Sequence, residues 1–108
     1  ANDAKRAMVG VAEATLAKHG AVSAETAREM AEGARARAGV SLALSCTGIA
    51  GPGGATPGKP VGLVFIGCAR EGRPTLVERH VFAGDRAAVR AATVAAALDL
   101  AARSLNTA

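Results

Sequence analysis

The sequence predicts an α/β fold, a mixed β-sheet of three strands packed by Ala-rich helices. Three observations point to it. Two short apolar runs, residues 40–46 and 61–69, flank a loop dense in Gly and Pro, which is the pattern of buried strands rather than of helices. A third run, residues 75–82, alternates in character and follows a short turn. Ala-rich segments with apolar residues at helical spacing lie before and after these strands.

In chain order, residues 3–9 and 11–19 each have the composition of a short helix, separated by Gly10 and ended by Gly20. Ser23 is a good N-cap for the next helix, because its hydroxyl can accept from an otherwise orphaned amide. Glu25 then puts an anion in the first turn, where the helix dipole favours it. Ala27, Met30, Ala31 and Ala34 follow the spacing of one buried stripe, and Gly39 is placed to close the helix. The strand over 40–46 comes next, then the loop, then the strand "VGLVFIGCA" over 61–69.

Arg70-Glu71-Gly72-Arg73-Pro74 is too short for a crossover, so the last two strands should form an antiparallel hairpin. In the third strand Leu76, Glu78 and His80 share one face, and Val77, Arg79 and Val81 the other. Such mixed faces suit an edge or half-exposed position. Asp85 can cap a final helix over 86–105, with Val89, Thr93, Ala96, Ala97 and Leu100 as its buried stripe.

Composition narrows the function. At 108 residues the chain is one domain near the small end of the usual range. The formal charge is +4, but the basic residues interleave with acids, as in Glu25, Arg28, Glu29, Glu32, Arg35 and Arg37. That is the pattern of a solvated helix face and argues against nucleic acid as a partner. It suits a small anionic substrate. Phe65 and Phe82 are the only aromatics, too few for a base-stacking platform. No apolar run approaches the ~18 residues that span a bilayer, so no membrane partner is expected and the default location is cytoplasmic. Cys46 and Cys68 lie within apolar runs without metal-ligand spacing to His19 or His80. Both are expected to be reduced and buried, with no metal.

The loop "GIAGPGGATPGKP" holds five glycines and three prolines in thirteen residues. From Gly53 it spells G-x-x-x-x-G-K, yet Pro60 stands where a phosphate-binding loop needs a Ser or Thr hydroxyl for magnesium. A strand follows it rather than a helix N-terminus. The phosphate-loop reading fails on both counts. A long connection of restricted backbone between two buried strands is usually functional. Its glycines let backbone amides approach a ligand, and Thr47 adds a hydroxyl. A small-molecule site and a passive connector are the two readings that remain.

The run Thr47-Gly48-Ile49-Ala50-Gly51-Pro52-Gly53-Gly54, followed by Lys59-Pro60-Val61-Gly62, resembles the signature of the CinA C-terminal domain family. "HGAVSAETAREMAEGARARAG" is similar to that family's preceding helix, "FAGDRAAVR" to the start of its last helix, and "NDAK" to the tail of a Tyr-x-Asn-x-x-Lys motif. The resemblance spans nearly the whole chain. It implies a single CinA-like domain over 1–108, part of a larger three-layer α/β/α domain and incomplete at its N-terminus. It also implies an amidase that converts nicotinamide mononucleotide to nicotinate mononucleotide and ammonia, with no cofactor, acting as a homodimer or higher homo-oligomer.

The implied mechanism is nucleophilic catalysis by a Ser with a Lys base and a helping Tyr. Lys5 matches the lysine and would be the general base, and Asn2 matches the asparagine. Thr47, Gly48 and Gly51 match the substrate loop, and Arg86 the arginine of the "GDR" segment, which from the first turn of the last helix would meet a phosphate or carboxamide of the substrate. The family's Ser-x-Thr-Gly-Gly nucleophile motif and its Tyr do not stand in this sequence. Ser45 belongs to the other loop, and its plain reading is a hydroxyl bonded to neighbouring backbone. Lys59 is either a surface lysine or an aid to phosphate binding. The alternatives are a non-catalytic nucleotide-binding or regulatory module, or a protein associated with competence and DNA damage.

Overall fold

The structure, a computed structural model, describes residue 8 and residues 10–106 of the chain. Of the helix expected over residues 3–9 only Met8 is described, and Asn2 and Lys5 lie outside the described residues. The elements that follow are α1 (Glu13–His19), α2 (Ala24–Ala38), β1 (Leu42–Gly48), β2 (Leu63–Arg70), β3 (Leu76–Val81) and α3 (Arg86–Asn106).

Helix boundaries fall where local chemistry puts them. The Ser23 hydroxyl accepts from the Thr26 amide at 3.1 Å, and Gly39 closes α2 in the left-handed region at φ 65°. The Asp85 carboxylate accepts from the Ala88 amide at 2.9 Å and caps α3. The short α1 is tied to α2 by Glu29, whose carboxylate accepts from the Ala12 amide at 2.8 Å and the Thr15 hydroxyl at 2.6 Å. The Thr15 hydroxyl, followed by the Ala12 amide, holds the Glu29 carboxyl below its usual range, since both bonds favour the charged form.

The sheet runs in the order β1-β2-β3. Expected to be mixed, it is antiparallel throughout the described residues: Thr47 pairs with Phe65 across β1 and β2, and Phe65 with Arg79 across β2 and β3. The reason is connectivity. A parallel pair needs a crossover, usually helical, and the loop over 49–62 contains no helix and returns beside the strand it left. β2 is central and nearly all buried, while β3 has the mixed exposure of an edge.

Helices cover both faces, which makes three layers. On one face α2 approaches so closely that the Ser45 hydroxyl donates to Ala27 O at 2.6 Å. A Cβ on Gly67 would sit 2.6 Å from that same carbonyl oxygen. On the other face Val89 and Leu100 of α3 pack with Val64, Ile66 and Cys68 to form the core. Ala27 and Ala31 of the expected α2 stripe are buried, as are Val89 and Leu100 of the α3 stripe. Arg103 ties α3 to β3 through Glu78 at 2.8 Å. Burial pushes the Glu78 carboxyl up, but hydrogen bonds from Arg103 and His80 outweigh it and hold the group below its usual range. Among the described residues no helix is long and apolar enough to cross a membrane.

Candidate functional site

The loop between β1 and β2 is tied down at its base, its tip and both flanks. At the base the Ile49 amide donates to Leu63 O at 2.9 Å and the Gly62 amide to Ile49 O at 2.7 Å. At the tip Thr56 and Lys59 bond each other through both backbone pairs, at 3.0 and 2.9 Å. Pro57 and Gly58 fill the central turn positions, with Gly58 at φ 79°, the positive φ that such a turn asks of its second residue. The Lys59 ammonium donates to His19 O at 2.7 Å, which anchors the loop to the end of α1. Lys59 was read from the sequence as a surface lysine or an aid to phosphate binding; the structure gives it a third part, a strap between loop and helix. On the other flank an Arg86 guanidinium N–H donates to Gly51 O at 3.4 Å. The Gly51–Pro52 peptide is cis.

Beside this loop, on the α3 side of the sheet, lies an open cavity of about 300 Å³. Its walls come from Cys46, Thr47 and Gly48 of β1, Ala50 of the loop, Val64 of β2, and Val89, Arg90, Thr93 and Val94 of α3. The wall is largely apolar, as binding sites for small molecules commonly are. Gly48 is needed here for space: a Cβ on it would meet Leu63 O and the Val64 side chain, each at 2.8 Å. The amides of Ala50 and Gly51 have no hydrogen-bond acceptor among the described residues. Ala50 belongs to the cavity wall, and Gly51, the next residue of the loop, is buried; a buried amide normally finds a partner.

The structure thus brings Thr47, Gly48, Gly51 and Arg86 together at one end of the sheet. Thr47 contributes differently from what its residue type suggests. Strand alternation turns its side chain toward α2, and the hydroxyl donates to Ala21 O at 2.7 Å, so its main chain is what meets the cavity. Ser45, two residues earlier, faces the same way and bonds Ala27 O. The expectation for the cysteines holds for Cys68, which is 1 % exposed. It is corrected for Cys46, which is exposed and lines the cavity. The physical reason is that α3 packs on β2, leaving the end of β1 uncovered. Arg90 and Thr93 of the cavity wall were not singled out from the sequence as ligand contacts. Their place one and two turns beyond Arg86 on the same helix was the available signal. Among the described residues no group of three His, Cys, Asp or Glu could hold a metal ion.

A three-layer α/β domain with a braced glycine-proline loop over a small apolar cavity defines the class, and comparison with known proteins narrows it. A sequence model described as the CinA C-terminal domain matches residues 1–105. The chain belongs to the CinA C-terminal domain family. It is 54 % identical over 106 residues to a CinA-like protein of Citrifermentans bemidjiense, an alignment covering 98 % of this chain and 25 % of that protein. Among solved structures, the competence/damage inducible protein CihA of Agrobacterium tumefaciens superposes with a TM-score of 0.88 at 42 % identity, over 99 % of this chain and 65 % of that one. The competence damage-inducible protein A of Klebsiella pneumoniae gives 0.87 at 38 % identity, over 97 % of this chain and 65 % of that one. The chain spans about a quarter of the length of the curated relatives it matches.

Proposed function

We propose that this domain forms part of an amidohydrolase that converts nicotinamide mononucleotide to nicotinate mononucleotide and ammonia. The observation that carries the reading is the cavity beside the loop, walled by Thr47, Gly48 and Ala50, with the backbone amides of Ala50 and the adjoining Gly51 lacking a described acceptor. Amide hydrolysis passes through a tetrahedral intermediate whose oxygen is negatively charged, and preorganised backbone N–H groups are the usual means of stabilising it. The same donors would serve equally to orient the carboxamide before attack. The apolar wall of Val64, Val89 and Val94 suits the flat face of a nicotinamide ring.

The nucleophile of this reading is the Ser of the family's Ser-x-Thr-Gly-Gly motif, supplied from outside these 108 residues. Lys5 takes the hydroxyl proton as general base and returns it to the leaving ammonia, and Asn2 orients the substrate. The attack makes an acyl-enzyme ester and releases ammonia; water then cleaves the ester to the carboxylate. Arg86, by holding Gly51 O, keeps the loop donors in place.

The test is ammonia release from nicotinamide mononucleotide by the full-length protein, with Lys5→Ala as the diagnostic variant. Release matched by nicotinate mononucleotide, with kcat lower by about 10²- to 10⁴-fold in the variant, is expected for loss of a general base. A full-length protein that releases no ammonia refutes the reading.

A further inference from the structure

We propose that Arg90 is the anion-binding and specificity-determining residue of the cavity, where it receives the phosphate monoester of a mononucleotide; this rests on the amidohydrolase reading above. Among the described residues Arg90 is the only charged one that forms the cavity wall. It has no hydrogen-bond or ion-pair partner among the described residues. Its own helix offers none, because its neighbours at three and four residues are Arg86, Ala87, Thr93 and Val94. The acidic residues next to it along the chain are engaged elsewhere: Asp85 caps α3 through Ala88, and Asp99 pairs with Arg103 at 2.8 Å.

Arg90 is exposed in an open cavity with a largely apolar wall, so its guanidinium meets solvent and is accessible to an incoming anion. Its planar fork matches two phosphate oxygens at once, and next to apolar surface such a charge-assisted contact is stronger than in open water. Arg86, one turn earlier, adds positive charge on the same side while its own hydrogen bond holds the loop. The axial order along α3 then places the ligand. Its phosphate lies at Arg90, and its carboxamide reaches toward the donors of Ala50 and Gly51.

The experiment compares nicotinamide mononucleotide with nicotinamide riboside, which lacks the phosphate, in the full-length wild type, R90Q and R90K. The expected result in R90Q is a KM for the mononucleotide raised about 10- to 100-fold, the equivalent of a charge-assisted hydrogen bond. The change in kcat is much smaller, and R90K recovers part of the loss. The preference for the phosphorylated compound collapses accordingly. If R90Q keeps the wild-type preference, the Arg90 assignment is overturned while the amidase reading stands. If the wild type hydrolyses neither compound, the amidase reading fails, and titration with inorganic phosphate followed by NMR decides Arg90 alone. A saturable shift of the Arg90 Nε–Hε resonance supports the assignment, and its absence overturns it. The same titration of the wild type decides the matter if R90Q does not fold.

Discussion

Replacing Gly62 by Ala tests the idea that the base of the loop is held by close backbone contact. A Cβ at Gly62 would sit 2.1 Å from Phe82 O, so that carbonyl would have to retreat by about 0.9 Å to reach 3.0 Å. That oxygen belongs to the segment whose amide donates to Gly62 O at 2.9 Å, and the Gly62 amide in turn donates to Ile49 O at 2.7 Å. Gly62 also has φ +92°, which costs an L-residue roughly 1–2 kcal/mol. Weakening two backbone hydrogen bonds adds about 1 kcal/mol each, for a total of about 3–4 kcal/mol. Gly58 supplies the control. It has a similar φ of +79° but nothing within 4 Å of its Cβ position, so Gly58→Ala should show only the conformational cost of roughly 1–2 kcal/mol. Urea unfolding followed by circular dichroism measures both. Equal losses in the two variants would refute the reasoning, because the steric contact would then contribute nothing.

Three further outcomes are expected. Ser45→Ala removes the hydroxyl bonded to Ala27 O and should lower stability by about 1 kcal/mol; because Ser45 faces α2, turnover should be intact, and a loss of kcat at unchanged folding would contradict that placement. A thiol reagent added to the folded protein should modify Cys46 quickly and Cys68 only on unfolding, since Cys46 is exposed and Cys68 buried. Equal rates for the two, followed by mass spectrometry of the labelled peptides, would show the burial pattern to be different. Glu29 has a lowered carboxyl pKa, so the stability it contributes is fully present above the unfolded value of about 4.3. It is lost as pH falls through the lower folded value. The melting temperatures of wild type and Glu29→Gln should therefore converge on acidification, and curves that stay parallel would argue against the role assigned to the Thr15 and Ala12 bonds.

The braces around the loop explain why a segment so rich in glycine has a defined shape. Lys59 holds it from the α1 side and Arg86 from the α3 side, while Ile49, Gly62 and Leu63 close its base. Each brace is a single polar contact, individually modest. Together they limit the backbone freedom that glycine would otherwise have. Such preorganisation is what a set of backbone donors needs if it is to act on a developing charge without rearranging first.

Much of this architecture was determined by the sequence alone, because its signals are local. Ser23 and Asp85 mark helix starts through a side chain that reaches an amide three residues on. Gly39 marks a helix end through a φ that other residues avoid. The spacing of Ala27 and Ala31, and of Val89 and Leu100, reports the buried faces, because a helix returns to the same side about every 3.6 residues. The loop motif likewise carries the family resemblance in contiguous letters.

Only the tertiary structure decided which way β1 pairs with β2, where the cavity opens and what each loop residue does. Cys46 and Cys68 sit in similar apolar runs, yet one is exposed and the other buried, because α3 covers β2 and not the end of β1. Thr47 turns its hydroxyl to Ala21, Lys59 reaches His19, and Arg90 comes to line the cavity. The first two contacts join residues 26 and 40 positions apart, and the third depends on how α3 lies across the sheet. No pattern within a single segment encodes such relations; they exist only once the layers are packed together.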